Sequence, residues 1–159
     1  MNKGNLILME KYAILSGYFD KQLEFINRIH DEIITVDTSI YANRFVFAMR
    51  VQQFYTAIED LLKQIAKSFE NHIDAMTNFD KEILARMNTE VPKIRPVVIS
   101  HQTFVFLDKL RAFRHFVRHA YDCELNEKEL NLIQNKIEQE YSLLENDIRH
   151  FRSFIQSLS

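Results

Sequence analysis

Glycine and proline are nearly absent from this chain: its 159 residues include two of each, with one cysteine and no tryptophan. Glycine supplies positive φ in tight turns and lets a backbone approach phosphate closely. With only Gly4 and Gly17, both near the N-terminus, the Gly-rich cradles of dinucleotide and P-loop folds are excluded, and a turn-rich β fold is disfavoured. The single Cys123 can make neither an intramolecular disulfide nor a thiolate zinc site, which points to a reducing, cytoplasmic setting. No apolar run approaches the roughly 18–20 residues needed to span a bilayer, so we expect no membrane partner. Asn5 to Met9 is broken at once by Glu10 and Lys11, unlike the continuous apolar stretch of a secretory signal.

What is abundant is apolar side chains at helical spacing. The chain is 47% hydrophobic with 13 phenylalanines, enough for one well-buried domain over residues 1–159 and too short for two ordinary ones. A period of 3.6 predicts a first long helix over about 6–34, with an apolar stripe of Leu8, Tyr12, Leu15, Phe19, Ile26, Ile29 and Ile33. The turn from Thr35 to Ser39 offers N-cap chemistry for a second helix over about 39–73, striped by Phe47, Val51, Phe54, Ile58, Leu61, Ile65 and Phe69. A short helix over 80–88 turns Ile83, Leu84 and Met87 inward. Pro92 and Pro96 then forbid continuous helix and predict a packed crossover. Ser100 caps a third long helix over about 101–120, and Asn126 with Glu129 starts a fourth over about 127–158. The short connections predict an all-α, antiparallel four-helix up-and-down bundle with a short extra helix.

Charge is distributed unevenly. The net charge is −2, yet from His101 to Tyr121 Lys109, Arg111, Arg114 and Arg118 stand against Asp108 alone, giving +3 and leaving −5 elsewhere. His101, His115 and His119 fall in the same stretch. Arginine can hold two phosphate oxygens with its planar fork, and histidine is the side chain whose ordinary pKa lies nearest neutrality. Together they suit RNA cleavage, where the 2′-hydroxyl is the nucleophile and the protein must move protons and neutralise charge on phosphorus; that chemistry requires no metal or other cofactor. At 100° per residue, however, Arg114 and His119 point about 140° apart. Either the helix unwinds by His119, or two chains share one site across a two-fold axis, which we favour. Blander readings compete: a solvated face, a contact for an acidic protein, a surface His119, and a Tyr121 that is a core-edge aromatic. A di-metal carboxylate bundle needs two Glu-x-x-His pairs, and only Asp147 to His150 comes near.

The run Arg114-His115-Phe116-Val117-Arg118-His119-Ala120-Tyr121 resembles the signature of the HEPN superfamily, specifically the HepT-like toxins of HEPN/MNT toxin–antitoxin pairs. The lead-in Arg95 to Ser100, the segment Leu107 to His115 and the five-helix pattern agree with it. The resemblance implies a homodimeric, metal-independent ribonuclease acting on RNA, with tRNA among the expected substrates. Arg114 and His119 of both chains would be catalytic, and His115 would fill the polar position beside the arginine. Arg111 and Arg118 add RNA-binding charge. It also implies a minimal nucleotidyltransferase (MNT) antitoxin as partner, which can transfer AMP to the motif tyrosine, here Tyr121. The alternative within the family is a non-catalytic helical binding partner of that nucleotidyltransferase. A third reading is a helical scaffold, which full pairing of the basic residues within the chain would favour.

Overall fold

Apolar stripes of the predicted period do assemble into helices packed side by side. A computed structural model describes residues 2–70, 79–119 and 124–158. Its elements are α1 (Lys3–Thr35), α2 (Tyr41–Phe69), α3 (Phe79–Met87), α4 (His101–His119) and α5 (Glu127–Ser157). Among the described residues there is no strand, only an isolated bridge between Val91 and Arg95. The four long helices form a ring in which α1 packs on α2 and α5, and α4 closes it against the same two. The short α3 rests on α2 and α4. The fold is thus the all-α bundle with a short extra helix.

Every residue of the predicted α2 stripe is buried, and removing this much apolar surface from water is the main stabilising term. The α1 stripe holds from Leu15 to Ile33, but Leu8 is exposed. The cause is length: packing along α1 starts where Tyr12 stacks on Phe69, the last residue of α2, so the first two turns of α1 have no described helix opposite them. The α2 boundaries also differ from expectation. Ser39 does not cap it; Asp37 accepts hydrogen bonds from the Ser39 amide and hydroxyl instead, and Ile40 occupies the cap position without a side-chain bond. At its other end α2 stops at Phe69, where the Glu70 amide closes on the Ala66 carbonyl.

Ser100 and Asn126 behave as predicted. The Ser100 hydroxyl oxygen accepts from the Thr103 amide at 3.3 Å. Asp147 of α5 accepts from the Ser100 amide, the Ser100 hydroxyl and the Thr103 hydroxyl at 2.8, 2.9 and 2.6 Å, tying the start of α4 to α5. This carboxylate is therefore engaged in holding two helices together. The Asn126 side chain accepts from the Lys128 and Glu129 amides at 2.8 and 3.4 Å. Asn126→Ala should cost about 1 kcal/mol of stability, measured as a lower urea midpoint at unchanged slope; an unchanged midpoint would show that the cap contributes nothing.

The crossover between α3 and α4 is pinned by a buried arginine. Arg95 donates to the carbonyls of Thr89, Pro96 and Arg86 and pairs with Glu70 at 3.0 Å. Behind it, Val98 and Ile99 are buried and their amides donate to the Met87 carbonyl. Lys93 takes a positive φ of 67° to complete the turn.

Candidate functional site

The helix carrying the basic residues leans on α2 through one face. Phe106, Leu110 and Phe113 are buried there, and the Phe113 ring meets Phe47 edge-on at 6.5 Å. A helical side chain leans toward its own N-terminus, so Arg114 reaches back along α2 past this contact. Its guanidinium donates to both carboxylate oxygens of Glu59 at 3.3 and 2.9 Å and to the Thr56 hydroxyl at 3.2 Å. It also lies 4.4 Å from the centroid of the Tyr55 ring, a cation–π distance. Arg114 is 6% exposed and Glu59 4%. The arginine expected to add to the exposed positive charge of α4 is instead a buried, bidentate ion-pair member.

Glu59 is the residue that sequence reasoning missed. It lies among Tyr55, Ile58 and Leu62, all buried, so a carboxylate at that helical register demands a partner. That demand was visible in the apolar stripe; which cation would meet it was not. Lys63 adds a second contact to Glu59 at 3.2 Å. Burial, with the Glu59 charge reinforcing it, raises the pKa of the Tyr55 hydroxyl well above the usual tyrosine range.

The remaining cations of α4 differ in how they are engaged. Arg111 pairs with Asp108 one turn earlier at 2.8 Å. Lys109 meets Lys136 of α5, and hydrogen bonding to that ammonium, with its repulsion, holds Lys109 below the usual lysine range. Arg118 and His119 are exposed and have no ion pair among the described residues. His115 and His119, also one turn apart, bring their rings to 4.4 Å. The cations of this segment therefore resolve into two arginines paired within the chain, Lys109 set against Lys136, and a small exposed group of Arg118, His115 and His119. Pairing within the chain is extensive but incomplete, so the scaffold reading does not account for this group.

Helix α4 remains helical through His119, so the helix does not unwind before the histidine. Arg114 and His119 consequently diverge within one chain, Arg114 toward α2 and His119 toward solvent. Tyr121 and Cys123 lie outside the described residues. Of the residues near the Glu-x-x-His pattern, Asp147 is committed to Ser100 and Thr103, and His150 Nδ1 approaches the Asn146 carbonyl at 2.8 Å.

Beside this cluster, α1 and α2 enclose an open groove of about 910 Å³ whose lining includes Phe25, Met49, Gln53 and Thr56. Thr56 thus forms part of the groove wall and also touches Arg114. No described helix is long and apolar enough to cross a membrane.

Neither a curated protein nor a solved structure matches the sequence. A family model described as HepT-like protein matches residues 46–155. That span runs from the first turns of α2 almost to the end of α5, taking in Glu59, Arg114 and His119. An all-α bundle of this order, with the Arg114-to-His119 motif closing its fourth helix inside a match covering more than half of the chain, makes this protein a member of the HepT-like family of the HEPN superfamily.

Proposed function

We propose that this protein is a metal-independent endoribonuclease of the toxin type, acting on RNA at a site built from Arg114 and His119 of two chains. The observation that carries this reading is the position of the motif. Within the family-matched span, α4 ends on an exposed His115–His119 pair beside Arg118, while Arg114 is held rigidly one turn back. Of the five N–H donors of a guanidinium, Arg114 gives three to Thr56 and Glu59. Two are left for a phosphate oxygen, and the Glu59 pair fixes the plane from which they are offered.

The chemistry then follows without a cofactor. One His119 takes the proton from the 2′-hydroxyl, whose oxygen attacks the adjacent phosphorus. Arg114 neutralises the charge that develops on the phosphoryl oxygens. The bond from phosphorus to the 5′-oxygen breaks, and the second copy's His119, protonated, gives its proton to that oxygen. The products are a 2′,3′-cyclic phosphate and a 5′-hydroxyl. His115, against the His119 ring, restricts its orientation, and Arg118 supplies a free cation for the flanking phosphates. The acidic remainder of the chain confines RNA to this end of the bundle, with tRNA as a candidate substrate. A minimal nucleotidyltransferase is the proposed antitoxin, silencing the toxin by moving AMP onto the Tyr121 hydroxyl.

Purified protein should cleave single-stranded RNA with EDTA present and leave 2′,3′-cyclic ends, read by end-group analysis. Absence of cleavage across an RNA pool that includes tRNA would overturn the enzyme assignment. One observation favours a second reading: Arg114 is buried and already paired, as a structural arginine would be. On that reading the protein is a non-catalytic partner of the nucleotidyltransferase, and it would bind that partner stably while leaving RNA intact.

A further inference from the structure

Between α4 and α5 lies a groove whose two ends carry opposite charge. It holds about 430 Å³, within the range of sites that take small ligands. Its α4 wall includes Lys109, Ala112 and Phe116, and its α5 wall Glu129, Leu132 and Ile133. Ser100 at the start of α4 meets Asp147, and Lys109 meets Lys136, so the two helices run antiparallel. Lys109 and Lys136 therefore stand at one end of the groove and Glu129 at the other. Between them Phe116 is 39% and Leu132 63% exposed.

The basic end holds more positive charge than the chain compensates. The Lys109 ammonium lies against that of Lys136, which pairs with Glu140 at 3.0 Å. Among the described residues Lys109 has no ion pair of its own. Two ammoniums thus share one carboxylate, and an anion placed there would relieve their repulsion. Glu129 is exposed and also has no ion pair among the described residues.

This groove opens on the same side of α4 as the motif histidine. Lys109, Ala112, Phe116 and His119 follow one another at steps of three, four and three residues, which places them along one side of the helix. From His119 back to Lys109 that side runs about 15 Å, the span of a few nucleotides.

Proteins hold single-stranded RNA by stacking bases on aromatic rings and meeting the backbone with cations. A carboxylate can also accept from the exocyclic amino group of a base. Amino donor, aromatic face and phosphate are the three parts of a nucleotide, and Glu129, Phe116 and the two lysines meet them in that order. An acidic, apolar peptide would use Phe116 and the lysines but gain nothing from Glu129.

From these observations we infer that the α4–α5 groove is a subsite for an RNA nucleotide flanking the scissile bond. Its base stacks on Phe116 with an amino group donating to Glu129, and its phosphate sits between Lys109 and Lys136. The inference rests on the reading that RNA is bound at His119. The groove, the path of the strand along α4, and a preference for an amino-bearing base over uracil are the added content.

Binding can be read apart from cleavage with single-stranded oligonucleotides of about 12 residues, 2′-O-methylated throughout so that no attacking hydroxyl is present. The full chain is titrated into fluorescent oligocytidine and oligouridine, and anisotropy gives the dissociation constants. Oligocytidine should bind more tightly, and Glu129→Ala should abolish that preference. Phe116→Leu keeps apolar bulk but removes the ring face, and should weaken oligocytidine binding at least ~5-fold; Phe116→Tyr should bind as wild type does. Lys109→Gln should flatten the slope of log affinity against log salt by about 0.7. Its thermal midpoint should stay at or above the wild-type value, because one of two repelling charges is gone. Affinities that ignore Phe116→Leu and Lys109→Gln, whether the groove then takes a protein helix or nothing, overturn the inference and leave the cleavage reading standing. Binding that depends on both residues in a protein that cuts no RNA upholds the subsite and overturns the activity. Equal binding of the two oligonucleotides overturns the base preference, and a wild-type chain that binds neither at about 100 µM overturns the subsite.

Discussion

His119→Ala should lower RNA cleavage by about 10²- to 10⁴-fold, the usual contribution of a positioned general acid or base, with no change in fold. The second half of that expectation is what makes the test clean. His119 is exposed at the last turn of α4, and its ring meets only the His115 ring among the described residues. Cutting it to alanine removes no core packing and orphans no buried group. Cleavage rate on a labelled RNA, together with the thermal midpoint, separates chemistry from folding. Undiminished cleavage in that variant would remove His119 from the mechanism.

Glu59→Ala should be the most damaging single truncation for stability. It removes the bidentate partner of a guanidinium that is 7% exposed in its side chain. Breaking a buried pair from one side costs about 3–5 kcal/mol, because the remaining charge stays desolvated and unpaired. In a chain of this size that is roughly 6–20 °C of thermal midpoint. Thr56 offers Arg114 one hydroxyl, which cannot replace a carboxylate. Glu59→Gln keeps an acceptor at the same place and should lose less. The double variant Glu59→Leu with Arg114→Met removes both charges and should recover most of the loss. Equal stability of wild type and Glu59→Ala in a urea titration would show that the pair holds nothing together. The same experiment explains why Arg114→Ala is the poorer test of catalysis: it would break the buried pair from the other side, leaving Glu59 to Lys63, and mix loss of stability with loss of activity.

The helices were legible because their evidence is local. Phe47 to Phe69 repeats at helical spacing without interruption, and all of that stripe is buried. Asn126 precedes an apolar run with its side chain free to accept the first amides, and it does so. Where the local evidence was ambiguous, the outcome turned on neighbours. Ser39 had the chemistry of a cap, but Asp37 two residues earlier claimed both its amide and its hydroxyl. Leu8 had the right spacing, yet α2 ends opposite Tyr12, so no described helix offers it a surface to enter.

The candidate site was legible as a list of residues and illegible as an arrangement. Sequence alone determined that α4 carries three arginines and two histidines within nine residues of its end, because composition and spacing are properties of the chain. It also determined that Arg114 and His119 diverge, since five residues of helix rotate by a fixed angle. Only the tertiary structure decided that Arg111 and Arg114 are already paired, that Arg118 has no ion pair among the described residues, and that the partner of Arg114 is Glu59, 55 residues away. An ion pair between helices depends on how two amphipathic faces dock, and that docking is set by the packing of Phe47, Phe113 and their neighbours rather than by any charge. The same docking leaves Phe116 of α4 and Leu132 of α5 exposed along one groove. A helix's own pattern shows which of its positions are apolar, but only the packed bundle shows which of them remain uncovered.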